Sequence, residues 1–190
     1  MKALEEKILS EGTVLQGDIL KVGSFLNQQL DVDFLLSMGE EIDNIYKGEQ
    51  ITKILTIEAS GIAVAVAAAA KMHKKVVFAK KNKTSNVSGE VYSANVHSFT
   101  HGADYLITVP KDYITADDKV LIIDDFLANG KALIGLIDIV NQAGAKVVGC
   151  TCAIEKGFQG GGDALRAKGY RIESLAVIEA MSPEKIEFRQ

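Results

Sequence analysis

The segment VLIIDDFLANGKA, Val120 to Ala132, places two adjacent carboxylates, Asp124 and Asp125, at the end of a branched apolar run and follows them with a small-residue turn. The run has the β-branching and length of a buried strand, so the acidic pair is expected where that strand leaves the core. Ala128, Asn129, Gly130, Lys131 and Ala132 lead into a helix, and their small side chains let a phosphate dianion approach the backbone N–H groups at its start. Carboxylates cannot ligate phosphate, but they can accept hydrogen bonds from vicinal sugar hydroxyls or hold a magnesium ion through water. A sugar phosphate satisfies both halves. A Walker-type loop does not fit, because Asp125 stands where the first glycine is needed and alanine follows Lys131. The alternative is a purely structural one, an acidic strand end followed by a plain Asn129-Gly130 turn.

Periodicity supplies the elements that must position these groups. Helices are expected near 2–11 and 32–47, with a polar-apolar hinge at 12–24 between them. Strand, helix and strand then alternate: strand 53–57, an alanine-rich helix to about His73, strand 75–79, strand 119–123, helix 131–143, strand 145–154, a glycine-rich turn, helix 162–168 and strand 172–178. Such alternation implies an α/β fold, a parallel sheet flanked by helices, with ligands bound beyond the carboxyl ends of its strands. Glu58-Ala59-Ser60-Gly61, Lys80 and Lys81, the 124–132 segment, and Lys156 to Phe158 all fall in that position. The long polar stretch from Lys80 to Gly102 reads as a hairpin flap over the crevice.

Bulk composition narrows the classes. With 190 residues, the chain suits one domain with a sizeable core, and a formal net charge of −4 gives no basic footprint for nucleic acid. The opening MKALEEKILSEG is an amphipathic helix with acidic content, not a secretion signal, so the expected location is cytoplasmic. The apolar stretch from Ala59 to Ala70 is too short for a bilayer span, and no membrane partner is expected. Cys150 and Cys152 lack a redox or zinc spacing and read as core residues. His97 and His101, without accompanying carboxylates, read as solvent-facing.

Val120 to Ala132 resembles the phosphoribosyl diphosphate-binding signature of the type I phosphoribosyltransferases: apolar residues, an acidic pair, apolar residues, then a small-residue phosphate loop. That loop usually reads Thr-Gly-Gly-Thr, where this chain has Asn129-Gly130-Lys131-Ala132. DDFLANGKA, with the opening helix and LQGDILKVGSFLNQQLD at 15–31, is similar in particular to the bacterial xanthine phosphoribosyltransferases, over nearly the whole chain. The resemblance implies a type I phosphoribosyltransferase fold over 1–190, with a small hood formed by about 1–35 and the C-terminal segment and a flexible flap at about 82–102. It further implies transfer of the 5-phosphoribosyl group of 5-phosphoribosyl 1-diphosphate to a purine nitrogen, with Mg2+ on the leaving diphosphate and a homodimeric assembly. No protein nucleophile is needed in that chemistry, which depends on orienting two reactants and stabilising separated charge.

On the same resemblance Ala128, Asn129, Gly130, Lys131 and Ala132 would cradle the 5′-phosphate. Asp124 and Asp125 would face the ribose hydroxyls and the cationic ring, while Glu58, Ala59, Ser60, Gly61 and Lys81 would meet the diphosphate. The ammonium of Lys156 offers only donors and suits a purine with oxygen at C6, whereas adenine would set donor against donor. Phe158 would lie on the purine face. Asn27, together with the Leu20 backbone, would meet the base from the hood, the Asn27 amide hydrogens facing the 2-oxo group of xanthine. Two other readings stay open: a guanine- or hypoxanthine-preferring transferase, and a regulator of the same fold that senses the diphosphate donor without transferring from it.

Overall fold

The computed structural model describes residues 1–16, 18–81, 89–98 and 103–189. Five α-helices occur among them: α1 (Lys2–Glu11), α2 (Val32–Ile45), α3 (Gly61–Met72), α4 (Lys131–Gln142) and α5 (Gly161–Ala167). Strands β1 (Thr13–Leu15) and β2 (Ile19–Lys21) form a small antiparallel hairpin, followed by a π-helical turn at Gly23–Asn27. The remaining strands make one sheet: β3 (Lys53–Ile57), β4 (Lys75–Lys81), β5 (Val91–Ser98), β6 (Ala103–Pro110), β7 (Lys119–Leu127), β8 (Lys146–Lys156), β9 (Ile172–Met181) and β10 (Ile186–Phe188). Their order is β10-β9-β8-β7-β3-β4-β6-β5. The run from β9 to β4 is parallel, and the outer pairings β10·β9, β4·β6 and β6·β5 are antiparallel.

The strands carry apolar residues on both faces because helices cover both. On one face Leu121 and Ile123 pack with Met38 and Ile42 of α2 and with Val64, Ala65 and Ala68 of α3. On the other, Val120 and Ile122 pack with Leu133, Leu136 and Val140 of α4. Asp31 caps α2 by accepting a hydrogen bond from the Phe34 amide at 3.1 Å. Alanines and a glycine bring α2 and α3 together: a Cβ on Gly39 would stand 2.3 Å from the Ala67 carbonyl oxygen.

β3 and β7 are neighbours in the sheet but not in sequence, and their connections depart in opposite directions, to β4 through α3 and to β8 through α4. This is a topological switch point, where the loops leaving two adjacent strands diverge and open a crevice. The pair is held at its other end by Asp118. Its carboxylate accepts from Thr52 Oγ1 at 2.8 Å, Lys53 Nζ at 2.9 Å and the Thr115 amide at 2.9 Å.

Most expected elements are present within a few residues of their expected bounds; the expected hinge at 12–24 contains the β1–β2 hairpin instead, and two further readings need correction. β7 does not end at Ile123 but runs to Leu127, so the acidic pair lies within the strand, Asp124 opposite Cys152 of β8. The Lys80–Gly102 stretch is not all flap: 91–98 is β5, an edge strand whose Ala94 and Val96 are buried. A Cβ on Gly135 of α4 would lie 2.7 Å from Val96 Cγ2, so β5 belongs to the core. Residues 82–88 and 99–102 of the expected flap, His101 among them, lie outside the described residues. Cys150 and Cys152 are both buried, and burial pushes the Cys150 thiol up to about 12.

The α2–α3 contact supplies a stability test. Gly39→Val should cost about 1–3 kcal/mol through overpacking against the Ala67 backbone, measured by urea unfolding. An unchanged midpoint would show that the two helices separate freely.

Candidate functional site

The crevice at the switch point is walled by the loop after β3 and the end of β7. Gly61, the first residue of α3, sits against both: a Cβ there would be 2.4 Å from Thr56 Oγ1 and 2.8 Å from Asp124 Oδ1. The Thr56 hydroxyl is buried and has no hydrogen-bond partner among the described residues. The Glu58–Ala59 peptide is cis. The Glu58 carboxylate accepts from the Lys81 amide at 2.5 Å, and the Glu58 amide donates to the Ala79 carbonyl at 3.1 Å, so the loop after β3 is tied to the end of β4.

Asp124 is 5% exposed, and its Oδ1 accepts from the Asp125 amide at 2.9 Å. Burial first, and the adjacent Asp125 carboxylate second, hold the Asp124 carboxyl well above the usual carboxylate range, while Lys81 opposes them. The Lys81 ammonium stands 5.3 Å from the ring of Tyr105 on β6. Burial, then Asp124, pushes the Tyr105 phenol up. Asp125 is only partly buried.

Beyond β7, Gly130 takes a left-handed conformation (φ 81°) that a side chain would strain, and α4 starts immediately after it. Asn129 Oδ1 accepts from the Lys131 amide at 3.1 Å, closing the turn with its own side chain. First-turn amides of a helix have no intrahelical acceptor, so Ala128 to Ala132 is a backbone concavity suited to an anion.

Lys156 is the last residue of β8, two beyond the strand end expected at Ile154. Its ammonium donates to the Asp18 carbonyl at 2.6 Å and lies 5.7 Å from the ring of Phe126. Burial draws its pKa below the ordinary lysine value. The β1–β2 hairpin therefore leans over the end of β8, with Leu20 in β2 and its side chain buried. Asn27 ends the π-helical turn, half-buried, and its amide makes no hydrogen bond to another described residue.

The structure thus brings Gly61 to Asp124, Glu58 to Lys81, and the hood hairpin to Lys156. Phe158 lies in a 3-10 turn after β8 and is 36% exposed, and the ring near the Lys156 ammonium belongs to Phe126. Phe126 and Tyr105 escape sequence reading. The first reads as apolar filler of the signature, and the second lies on a strand set by distant pairing. The signal for Phe126 is its register opposite Ile154, two residues before Lys156.

Fold and crevice together define an α/β protein whose divergent loops, acidic pair and anion-accepting turn meet at one switch point. The family model of the phosphoribosyl transferase domain matches residues 32–180, and the chain belongs to that family. It is 54% identical over 192 residues to a xanthine phosphoribosyltransferase of Bifidobacterium longum, covering 100% of both chains. A xanthine phosphoribosyltransferase of Clostridioides difficile is 51% identical over 190 residues, again with 100% of both covered. Among solved structures, the adenine phosphoribosyltransferase of Trypanosoma brucei superposes with a TM-score of 0.79 at 18% identity, covering 95% of this chain and 82% of that one. That of Leishmania donovani gives 0.74 at 18%, covering 96% and 83%. These last two define the shared fold.

The environment of Asp124 generates a test with a definite sign. A carboxyl raised in the folded state binds more protons folded than unfolded, so its penalty is absent below the unfolded pKa and grows as pH rises toward the folded one. Asp124→Asn should therefore stabilise the protein at pH 7 and do so by much less near pH 4. Thermal melts at the two pH values measure it; an equal gap at both would contradict the assignment.

Proposed function

We propose that this crevice transfers the 5-phosphoribosyl group of 5-phosphoribosyl 1-diphosphate to a nitrogen of xanthine, giving xanthosine 5′-monophosphate and diphosphate. The observation that carries the reading is the convergence on one switch point of the small-residue turn at 128–132, an acidic pair of which Asp124 is buried, and the Glu58–Gly61 loop packed directly on Asp124. Relatives more than half identical over their entire length carry the xanthine activity in their names.

In this reading the backbone of Ala128 to Ala132 holds the 5′-phosphate, and the Glu58–Gly61 loop with Lys81 holds the diphosphate. Asp124 and Asp125 face the ribose. Asp124, whose carboxyl burial and Asp125 hold above the usual carboxylate range, accepts hydrogen bonds from the ribose hydroxyls. The anomeric carbon loses diphosphate as the purine nitrogen bonds to it, and the positive charge that gathers on the ring lies against the acidic pair. Lys156 presents donors to the 6-oxo group after exchanging its Asp18 carbonyl for the base, and Phe126 lines the purine beside it. Asn27, whose amide has no partner among the described residues, offers its hydrogens to the 2-oxo group.

Magnesium fits as a companion of the donor. Among the described residues no three His, Cys, Asp or Glu side chains cluster as ligands. Asp125, only partly buried at the crevice, is the side chain that would hold the ion through water. The chemistry the ion supplies there is neutralisation of the charge developing on the leaving diphosphate.

The test is a competition assay with magnesium, 5-phosphoribosyl 1-diphosphate and equal xanthine, hypoxanthine, guanine and adenine. Xanthosine monophosphate should dominate, and Asn27→Asp should lower the preference for xanthine over guanine about tenfold or more. Predominant guanosine monophosphate from the unaltered protein would overturn the base assignment, and no nucleotide at all would overturn the activity. A homodimer belongs to the same proposal: light scattering should give twice the 20.4 kDa chain mass, and a monomer mass would count against it.

A further inference from the structure

Behind the 128–132 turn lies an ion pair between a buried carboxylate, Glu155, and the half-buried guanidinium of Arg166, which the transfer chemistry does not use. Glu155 of β8 is 0% exposed, and its carboxylate accepts from Arg166 Nη1 and Nη2, each at 2.8 Å, and from the Ser174 hydroxyl. Burial alone would raise the Glu155 carboxyl, but the Arg166 and Ser174 hydrogen bonds outweigh it and hold the group below its ordinary value. Burying such a pair seldom stabilises a fold more than apolar residues of the same size would, so its presence calls for a local reason.

The start of α5 supplies that reason. A Cβ on Gly161 would stand 2.3 Å from the Ala128 carbonyl oxygen, 2.4 Å from the Asn129 carbonyl carbon and 2.5 Å from the Gly130 nitrogen. A Cβ on Gly162 would stand 2.0 Å from Glu155 Oε1. The backbone of Gly161 and Gly162 is thus wedged between the back of the 128–130 turn and the ion pair. Arg166, one turn further along α5, fastens this wedge to β8. Asp163 binds Arg166 at 3.0 Å and is itself gripped by Arg189 through two contacts of 2.9 and 3.0 Å, and Arg189 reaches Glu179 at 2.7 Å. The support of the turn is continuous from β8 through α5 to the C-terminal segment.

We infer that Glu155 and Arg166 are positioning residues that press the Gly161–Gly162 backbone against the 128–132 turn and so fix the direction of its phosphate-binding amides. The inference rests on reading that turn as the 5′-phosphate cradle. An oxyanion cradle made of backbone amides works only while their directions are held, and amides that can swing reorganise at the expense of binding. Loosening the wedge therefore weakens the phosphate end of the donor and leaves the purine end, on the hood side of Lys156, in place.

The experiment compares steady-state KM values for 5-phosphoribosyl 1-diphosphate and for xanthine in Gly161→Ala, Arg166→Met, Arg166→Lys and Gly130→Val, with Tm recorded for each. Gly161→Ala and Arg166→Met should raise KM for the diphosphate donor about tenfold or more, with xanthine KM changed less than about twofold, and Arg166→Lys should recover part of the loss. Gly161→Ala leaves the ion pair intact and tests the contact between wedge and turn, while Glu155→Gln, expected to raise donor KM in the same way, tests the pair if Arg166→Met does not fold. An unchanged donor KM in Gly161→Ala, or a rise in both KM values that tracks the fall in Tm, overturns the positioning role. Gly130→Val separates the two layers of the argument. If it alone raises donor KM, the cradle stands and the wedge falls; if it too leaves donor KM unchanged, the cradle reading itself is wrong.

Discussion

Everything at the crevice depends on β3 and β7 lying side by side, in parallel, with their connections leaving in opposite directions. The register Lys53↔Val120, Ile54↔Leu121, Leu55↔Ile122, carried to the end of β3, sets Ile57 level with Asp124 while β7 runs on to Leu127. Asp118 holds the opposite ends by bonds from Thr52, Lys53 and Thr115, so a slip of either strand would break a largely buried charged cluster as well as the ladder. The space between the ends is set by the one residue that cannot bear a side chain. Gly61 lets α3 begin against Thr56 and Asp124 without displacing either.

The parts of the fold that were legible in the sequence are those governed by local chemistry. β3 and α3 follow from a short branched run, a small-residue turn and an alanine-rich stretch, and both begin where the pattern places them. What was not legible is set by partners far along the chain. β7 continues through Asp124 and Asp125 because β8 offers it a ladder as far as Glu155, and no feature of Asp-Asp-Phe-Leu announces that. β5 is polar enough to pass for a flap. It is a strand because β6 pairs with all of it and because Gly135 makes room on α4 for Val96. The β1–β2 hairpin was read as a hinge, since strands of three residues carry too little periodicity to be distinguished.

The candidate site divides along the same line. Gly61 and the 128–132 turn each sit at a strand-to-helix junction, where residue type reports backbone demand, and could be picked out from sequence, as could the acidic pair, although it lies inside β7. Phe126 beside Lys156, and Tyr105 beside Lys81, are contacts between elements, fixed by sheet register and not by spacing. Phe158, expected on the purine face, lies in the 3-10 turn after β8 and is exposed.

Two buried carboxylates on neighbouring strands show how the protein distinguishes structure from chemistry. Glu155 is surrounded by donors, two from Arg166 and one from Ser174, and the bonds that lower its pKa keep it charged and fixed. Asp124 receives one backbone amide and faces a second carboxylate, so burial and repulsion leave its charge uncompensated. A fold selected for stability alone would have no reason to leave Asp124 in that state, because an apolar residue at the strand end would avoid the desolvation at no loss of packing. In the proposed function the uncompensated group is the one that meets the ligand, and polyhydroxyl and cationic character in that ligand would complete its hydrogen bonds and balance its charge. The compensated group stands one strand away and behind the turn, where a permanent charge pair can brace the backbone without competing for the same ligand.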